Sequence, residues 1–418
     1  MKSQRNARSL IGIVLFGLTI FSFACEMDAP PSIYSENAAA APSPVITSIE
    51  PAAGGIAGIS QLTIFGNNFS PIDSQNHVFV DTAQAIVDSA TTTMLIIKAP
   101  KGVVGNNLKI KVTVDGAFKV ALYDHYQIEE VAQEYGNFGD LDEVISIAVD
   151  KNENLYVQMR VHADTVKIVK VTPSGAKSNY ASKNIPVQKF SQIKFGPNGY
   201  LYCQRSSSKE LYRIPPGGND SASLFHTLPI ARGSFFDFDS LGNMYCAGRT
   251  AGMAVVSLNS QTSRIVGNFS LFDVRGVRVY DGYVYVLGIY SQVKKGVYRA
   301  RINSADGELG TIDTVFNLSS LAQFSDPVQI MGLAISSTGD ILVGSETSDP
   351  IYVIRNGSAV PLYPGLLIKP AGEIRWGTGK YLYVNRYNSN SNAALVDPSI
   401  RRVMRIIVDS FGAPEYGN

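Results

Sequence analysis

The sequence predicts an all-β protein. Charged residues make up only 17% of its 418 residues, whereas glycine, tyrosine and phenylalanine are plentiful, with 37, 21 and 19 copies. This composition favours many short strands and turns over long amphipathic helices. The stretches "SQLTIFG" and "KIKVTVDG" alternate apolar and polar residues and end in turn glycines, as half-buried strands do. A strand–turn–strand pattern then recurs six times along the rest of the chain.

Length and net charge limit the classes of function. A chain of 418 residues is long enough for roughly two or three domains, each with its own hydrophobic core. The formal net charge is only +1, whereas a nucleic-acid-binding protein needs a concentrated basic surface. We therefore expect no nucleic-acid partner.

The N-terminus has the pattern of a targeting segment that is removed from the mature protein. Lys2, Arg5 and Arg8 precede an apolar stretch at 10–24 that is too short for a membrane span. The stretch runs into the sequence "SFAC" at 22–25, which resembles the lipobox of bacterial lipoproteins, with serine where leucine is more usual.

That resemblance implies a signal peptide over 1–24 and acyl chains on Cys25, which becomes the new N-terminus. The alternative is an ordinary secretory signal whose cleavage site happens to precede a cysteine. Several acyl chains on one residue anchor a protein stably, and residues 25–43 have the Ala/Pro/Ser-rich composition of a flexible tether. We expect an exported protein, lipid-anchored to the bacterial outer membrane and exposed at the cell surface.

The first folded unit carries a family pattern. Residues 44–51 read Pro-x-Ile-x-x-Ile-x-Pro, Gly54-Gly55 follows, and "LTIFGNNF" (62–69) and "LKIKVTVDGA" (108–117) complete the pattern. Together these motifs resemble an IPT/TIG domain over residues 44–128. The resemblance implies an immunoglobulin-like β-sandwich that serves as a spacer or docking surface and is not a catalyst by itself.

Residues 129–418 contain the sixfold repeat. The second strands of its units start at Leu155, Leu201, Met244, Val284, Ile341 and Leu382. Four short strands in each unit resemble a six-bladed β-propeller of the NHL or streptogramin-lyase kind. Many unrelated activities use this fold, so the resemblance predicts architecture and not activity. "EYGN" occurs at 134–137 and at 415–418, and either copy is a candidate outer strand of the blade that closes the ring.

Two of the three cysteines fall in one column of the repeat. The column reads Val157, Cys203, Cys246, Val286, Val343 and Val384. We expect both cysteines to pack in the core, because a buried cysteine behaves as a small hydrophobe. The alternatives are a reactive thiol and a disulfide, which needs Cβ atoms about 3.5–4.5 Å apart. The same alignment places Trp376, the only tryptophan, at a core position.

Few residues point to catalysis. The four histidines form no His-x-x-x-His or His/Cys pair, and no Gly-rich phosphate loop or Gly-x-Ser-x-Gly elbow occurs. Lyases on related propellers rely on a pocket histidine, and only His162 lies in a suitable loop. Six-bladed lactonases use Glu, Asn and Asp around a metal; Asp237, Asp239 and Glu373 lie on or near first strands, but without a matching signature. We assign no catalytic residue, metal ligand or cofactor.

Arginine recurs just after the second strand of the repeat. The residues at these positions are Arg160, Arg205, Arg249 and Arg386, with Tyr290 and Glu346 in the fourth and fifth units. In a propeller these loops converge on one face around the axis. Arginine offers a planar donor fork for carboxylate or phosphate, so the six residues are candidates for binding an acidic or polyhydroxylated ligand. The alternative is that the arginines are solvated or salt-bridged within their own blades.

We therefore expect a surface binding protein whose propeller face recognises an extracellular ligand, first of all a polysaccharide that the cell takes up. The insertion at 303–329 should lie over the same face and contain a short helical turn at 317–326. Adhesion to a protein partner uses the same architecture, and a lactonase- or lyase-like enzyme is the competing class. The protein is expected to be a monomer or a component of an envelope complex.

Overall fold

The computed structural model of the chain is almost entirely β and confirms the predicted fold class. It describes residues 40–139, 142–161, 165–181, 185, 189–218, 221–386 and 402–416. The predicted lipidation site Cys25, the signal peptide and most of the tether lie outside the described residues, as does His162. Within the described part, no helix is long and apolar enough to cross a membrane.

The described residues between 45 and 129 form an immunoglobulin-like sandwich of two sheets. Its strands are β1 (Val45–Glu50), β2 (Gly55–Ile56), β3 (Gln61–Asn67), β4 (Asn76–Val80), β5 (Ala83–Ala85), β6 (Val87–Ala90), β7 (Met94–Lys98), β8 (Gly105–Val114) and β9 (Ala121–Glu129). One sheet has the order β1-β3-β7-β6 and the other has the order β2-β9-β8-β4-β5. A 3₁₀ turn at Asp73–Gln75 precedes β4.

Alternation along the strands builds the core of the sandwich. Leu62 and Ile64 of β3 face Ile110 and Val112 of β8 across one apolar cluster, and all four side chains are fully buried. The residues between them on each strand are partly or fully exposed. This period of two is the one that the sequence shows, and it lets each sheet bury one face.

The motif at 66–69 makes a close contact at the edge of the sandwich. A Cβ atom on Gly66 would overlap the carbonyl oxygen of Val45 and the ring of Phe69. Asn68 lies in the left-handed region, with a φ of 61°, and its side-chain amide donates a hydrogen bond of 2.8 Å to the carbonyl oxygen of Ser43. The motif therefore fixes the path by which the chain enters β1.

From residue 132 onward, the described residues form six four-stranded antiparallel sheets, the blades of a propeller. The first three blades are β11 (Asp142–Val149), β12 (Leu155–Val161), β13 (Thr165–Val171) and β14 (Lys177–Ala181); β15 (Phe190–Phe195), β16 (Leu201–Arg205), β17 (Glu210–Ile214) and β18 (Ser223–Thr227); and β19 (Phe235–Phe238), β20 (Asn243–Ala247), β21 (Met253–Ser257) and β22 (Ser263–Ile265). A 3₁₀ turn at Pro197–Gly199 joins β15 to β16.

The last three blades follow the same plan, except that the sixth takes its outer strand from the start of the propeller. They are β23 (Phe272–Tyr280), β24 (Tyr283–Tyr290), β25 (Lys294–Ile302) and β26 (Leu309–Asn317); β27 (Ile330–Ile335), β28 (Ile341–Ser345), β29 (Ile351–Arg355) and β30 (Ser358–Pro361); and β31 (Ile374–Trp376), β32 (Tyr381–Asn385), β33 (Val403–Ile407) and β10 (Ala132–Tyr135).

The first "EYGN" copy therefore closes the ring. Glu134 and Tyr135 belong to β10, which pairs antiparallel with β33 from Ala132 opposite Ile406 to Tyr135 opposite Val403. The described part of the second copy, Glu415 and Tyr416, lies at the centre of the propeller instead. Pairing the two ends of the propeller leaves no open edge between its first and last blades.

The repeat column predicted as core is buried in all six blades. The exposed fraction is 0% for Val157, Cys203, Cys246, Val286 and Val343 and 2% for Val384. Both cysteines are free, and burial raises the pKa of each thiol. They lie in different apolar clusters, and Trp376 lies in a third. Core packing is thus confirmed for all three residues.

The insertion before the fifth blade contains two single 3₁₀ turns, at Leu318–Ser320 and Ala322–Phe324, which confirms the predicted helical segment. Phe324 is buried against the fifth blade. The ammonium of Lys295 donates to the carbonyl oxygen of Phe324 (3.0 Å) and pairs with Asp326 (2.5 Å). These contacts attach the insertion to the third strand of the fourth blade.

Candidate functional site

The first strands of the blades surround a central channel, and polar side chains on them connect neighbouring blades. The hydroxyl of Ser146 accepts a hydrogen bond of 3.0 Å from the backbone N–H of Ile193. The carboxylate of Glu373 accepts one of 2.7 Å from the N–H of Ile147 and one of 2.9 Å from the Ser146 hydroxyl. Buried backbone donors need such partners, so part of the polar lining of the channel is structural.

The channel has two ends. We call the upper face the side that carries the loops between second and third strands, and the lower face the side that carries the hairpins between first and second strands. A cavity of about 190 Å³ lies at the upper end. Ser206 and Ser207 of the loop after β16 line it, together with residues of the first strands. It therefore opens toward the face that the sequence predicted for binding.

Basic side chains dominate the lining of this cavity. Among the described residues that line it, five are basic and one is acidic: Lys189, Arg232, Arg249, Arg275, Arg375 and Glu373. Glu373 pairs with Arg375 on the same strand. The remaining basic groups lie on the third and fourth blades and on the connections that lead into the second and third blades, so the positive charge is concentrated on one side of the cavity.

Arg249 and Arg275 share one carboxylate. Asp273 lies 2.8 Å from Nη2 of Arg275 and 3.5 Å from Nε of Arg249. The pKa of Arg249 is lowered, first by burial and then by the charge of Arg275, with Arg232 acting in the same direction and Asp273 opposing. The carboxylate of Asp273 thus only partly offsets the positive charge around it.

Several guanidinium N–H groups in this cluster have no hydrogen-bond partner. Arg275 is only 7% exposed, yet its Nε and Nη1 are buried without a partner, and so is Nη2 of Arg249. Unsatisfied buried donors cost free energy, more when they are charged. Both side chains line the cavity, so its wall carries two guanidinium groups whose donors are not all used.

Lys189 is a further basic residue of the cavity lining. Its pKa is lowered by burial, which outweighs the opposing effect of Glu143, and Arg160 and Arg249 lower it further. The lowered pKa of Lys189 is therefore mainly a consequence of its burial.

The lower end of the channel is occupied by the C-terminal segment. The backbone N–H of Ala413 donates a hydrogen bond of 2.9 Å to the carbonyl oxygen of Ile335. The backbone N–H of Ser337 donates one of 2.8 Å to the carbonyl oxygen of Phe411. Glu415 then reaches the first strands of the second and fourth blades, where it lies 3.2 Å from Lys194 and 3.1 Å from Arg278. The cavity is therefore a blind pocket with its entrance on the upper face.

Asp237 completes the charge cluster at this lower end. Its two oxygens lie 2.6 Å from Lys194 and 2.9 Å from Arg278, and it also accepts a hydrogen bond of 2.7 Å from the N–H of Val279. All three charged side chains are at most 3% exposed. Asp237 therefore joins the third and fourth blades as part of a compensated ionic cluster.

The carboxylates considered for a lactonase-like metal site are thus engaged elsewhere. Asp239 accepts hydrogen bonds from the N–H groups of Leu241 and Asn243 at 2.9 and 2.8 Å, a turn-capping role that is common for aspartate before a hairpin turn. Asp237 and Glu373 pair with basic groups. Among the described residues, no group of three or more His, Cys, Asp or Glu side chains is arranged to hold a metal ion.

The six residues that the sequence indicates as candidates for ligand binding lie in different environments. Arg249 lines the cavity. Arg160 pairs with Glu143 and Arg205 pairs with Glu210, each within its own blade. These two arginines thus follow the alternative of an intra-blade salt bridge, at the upper ends of β12 and β16.

The other three candidates lie further around the upper face. Arg386 donates from Nη2 to the carbonyl oxygen of Lys369 at 2.7 Å and is 7% exposed. The backbone N–H of Glu346 donates a hydrogen bond of 3.2 Å to the carbonyl oxygen of Gln329. Tyr290 lines a separate groove on the fourth blade, with its ring centroid 4.9 Å from that of Phe272. None of these three is part of the cavity lining.

The main basic residues of the cavity were not identified from the sequence. Arg275 and Arg375 lie on first strands, in "VRGV" and "EIRW", whereas Lys189 and Arg232 lie in the connections between blades. A charged residue at a first-strand position is the signal that could have revealed the cavity, because first strands face the channel in a propeller.

Comparison with known proteins agrees with this architecture. Residues 44–128 match the family described as the IPT/TIG domain, which confirms the resemblance of the first unit. No curated protein sequence matches the chain.

Many solved structures are similar in fold, among them the following three. An auxiliary nutrient binding protein from Bacteroides ovatus ATCC 8483 is 14% identical with a TM-score of 0.50, and the match covers 87% of this chain and 98% of that chain. One from Bacteroides thetaiotaomicron VPI-5482 is 11% identical with a TM-score of 0.51, covering 87% and 97%. A luciferin-regenerating enzyme is 14% identical with a TM-score of 0.50, covering 69% and 98%. At these identities the likeness shows the fold alone.

Proposed function

We propose that the protein is a nutrient-binding accessory protein of the cell envelope whose propeller binds a polysaccharide at the upper face. The observation that carries the proposal is the blind cavity with buried guanidinium N–H groups that have no partner. A saccharide supplies many oxygen acceptors for such donors. Binding sites commonly combine a preformed cavity with a few convergent polar groups.

The domain order supports the same proposal. A cysteine-anchored chain with a tether at 25–43 would hold the sandwich next to the membrane and the propeller beyond it. The sandwich and propeller are joined by only the two residues between β9 and β10. Two similar structures are described as auxiliary nutrient binding proteins. We propose that the lipid anchor is on Cys25, in the bacterial outer membrane, with the propeller at the cell surface.

A second candidate is an enzyme that acts on a saccharide, and one observation favours it. Glu373 lines the cavity, and burial raises the pKa of its carboxyl despite the opposing charge of Arg375. A carboxyl with a raised pKa is a common general acid. The same carboxyl, however, accepts two hydrogen bonds from the first blade, which is a structural role.

A glycan array with the detergent-solubilised full-length protein tests the proposal. We expect binding that is lost in Arg249→Ala, because this residue lines the cavity. The matched control is Arg264→Ala, since Arg264 also pairs with carboxylates but lies on the outer strand β22. Absence of binding to any glycan would overturn the proposal. Conversion of a bound glycan, lost in Glu373→Gln, would establish the enzyme in its place.

A further inference from the structure

The charged side chains around the cavity limit the chemical class of ligand that it binds. The third and fourth blades and the connections that lead into the second and third blades contribute Lys189, Arg232, Arg249 and Arg275 to one side of it. The one carboxylate shared by two of these groups is Asp273. Arg232 instead donates to a backbone carbonyl, that of Arg249, at 3.1 Å. Arg249 and Arg275 therefore share a single negative charge, and a neutral ligand would leave that imbalance in place.

The two arginines beside Asp273 have N–H donors that Asp273 does not use. Arg275 uses only Nη2 toward Asp273 and is left with Nε and Nη1, while Arg249 is left with Nη2. Guanidinium N–H groups are strong hydrogen-bond donors to carboxylate and sulfate oxygens. Burial strengthens such interactions, because the local dielectric constant is lower than in water.

The size of the cavity limits how much of a glycan can enter. Its volume of about 190 Å³ is below the roughly 300–1,000 Å³ of sites for drug-sized ligands. Glu415 and the segment before it lie across the other end of the channel, so a chain cannot pass through. A ligand therefore enters from the upper face by one end.

From these observations, and resting on the proposed glycan-binding function, we infer that the cavity takes the terminal residue of an acidic glycan. Its anionic substituent, a carboxylate or a sulfate ester, is bound by Arg275 and Arg249. The rest of the glycan extends over the upper face, where Arg160, Arg205 and Arg386 end their strands. Recognition of the charged end selects acidic glycans and rejects neutral ones of the same size.

Calorimetric titration of the full-length protein with paired sugars tests this inference. The probes are galacturonic acid, glucuronic acid and galactose 6-sulfate, each against its neutral parent sugar, galactose or glucose. We expect the acidic member of a pair to bind at least about tenfold more tightly, the usual effect of a charged hydrogen bond. The uronic acids and the sulfated sugar distinguish the two kinds of anion. Raising the salt concentration should weaken the acidic member more than the neutral one.

Two substitutions of Arg275 test whether the anion binds in the cavity. Arg275→Gln should reduce binding of the preferred acidic sugar by about ten- to a hundredfold, and Arg275→Lys should restore only part of it, because lysine lacks the planar fork. Arg264→Gln, the same change on the outer edge of the third blade, should leave binding unchanged. Circular dichroism of each variant checks the fold, and the paired-sugar comparison on the unaltered protein does not depend on any variant.

The outcomes separate the inference from the function on which it rests. Equal binding of acidic and neutral sugars, lost in Arg249→Ala, would overturn the charge preference and leave the glycan proposal intact. Binding of an acidic sugar that is unaffected by Arg275→Gln would overturn the assigned position. If acetate and sulfate ions bind but no sugar or glycan does, both the inference and the glycan function are wrong.

Discussion

Replacing Asp237 by asparagine should destabilise the propeller substantially. The carboxylate is 1% exposed and lies 2.6 Å from Lys194 and 2.9 Å from Arg278. Asparagine keeps the volume and an oxygen for the N–H of Val279, so the main loss is the negative charge. Lys194 and Arg278 would then have Glu415 as their remaining carboxylate in the cluster. Removing one partner from a buried ion pair costs about 3–5 kcal/mol, and we expect a loss in that range.

Urea unfolding followed by tryptophan fluorescence measures this loss. Trp376 is the only tryptophan of the chain and lies in the sixth blade, so its signal reports the propeller and not the sandwich. The control is Asp306→Asn, which removes a carboxylate of an exposed pair with Arg264 and should leave the midpoint unchanged. A loss below about 1 kcal/mol in Asp237→Asn would refute the reasoning, because the cluster would then not depend on this charge.

The pH dependence of the stability difference between the unaltered protein and Asp237→Asn tests the same role of the Asp237 charge. Burial raises the pKa of Asp237, but Arg278 and Lys194 outweigh it, and the net shift is downward. A carboxyl whose pKa is lower in the folded state contributes stability above its unfolded value of about 3.9, and loses it as the pH falls through the folded pKa. The difference in stability between the two proteins should therefore be constant near neutral pH and shrink below about pH 4.

Three further substitutions test other parts of the fold. Cys246→Val should change the stability of the propeller by less than about 1.5 kcal/mol, because valine occupies the same column in four blades; a larger loss in urea unfolding would contradict that equivalence. Glu415→Gln should lower the urea midpoint of Trp376 fluorescence, because Lys194 loses one of two carboxylates; an unchanged midpoint would show that the C-terminal contact contributes nothing. Gly66→Ala should lower only the melting transition of the sandwich in calorimetry, because the added Cβ meets backbone; a shift of the propeller transition would disprove that assignment.

The blades could be predicted because each is a local structure. A first strand, a polar turn and a second strand are adjacent in the chain, so their alternation and their turn residues are visible in any one unit. Cys203 and Cys246 occupy the same position in successive units, and the burial of that position follows from packing between neighbouring blades. The repeat therefore predicts this part of the fold without knowledge of contacts between residues that are far apart in the sequence.

The cavity could not be predicted in the same way, because it combines residues from different blades. Lys189 and Arg375 line it together although 185 residues lie between them in the sequence. The loop arginines were visible as a pattern, but the acids that pair with Arg160 and Arg205 are on adjacent strands of the same sheet. Their pairing depends on strand register, which the repeat alone does not specify.

The pairing of β10 with β33 has a consequence for the order in which the chain folds. The strand at Ala132–Tyr135 is synthesised before the first blade, but its partner at Val403–Ile407 comes roughly 270 residues later. Five blades can form as their strands emerge, whereas the sixth must wait for almost the whole chain. Until then the nascent propeller exposes an unpaired strand at one end and an incomplete ring at the other, and both can pair with another chain. The last step of folding is therefore the one most open to misassembly, and a truncation that removes β33 would make that vulnerable state permanent.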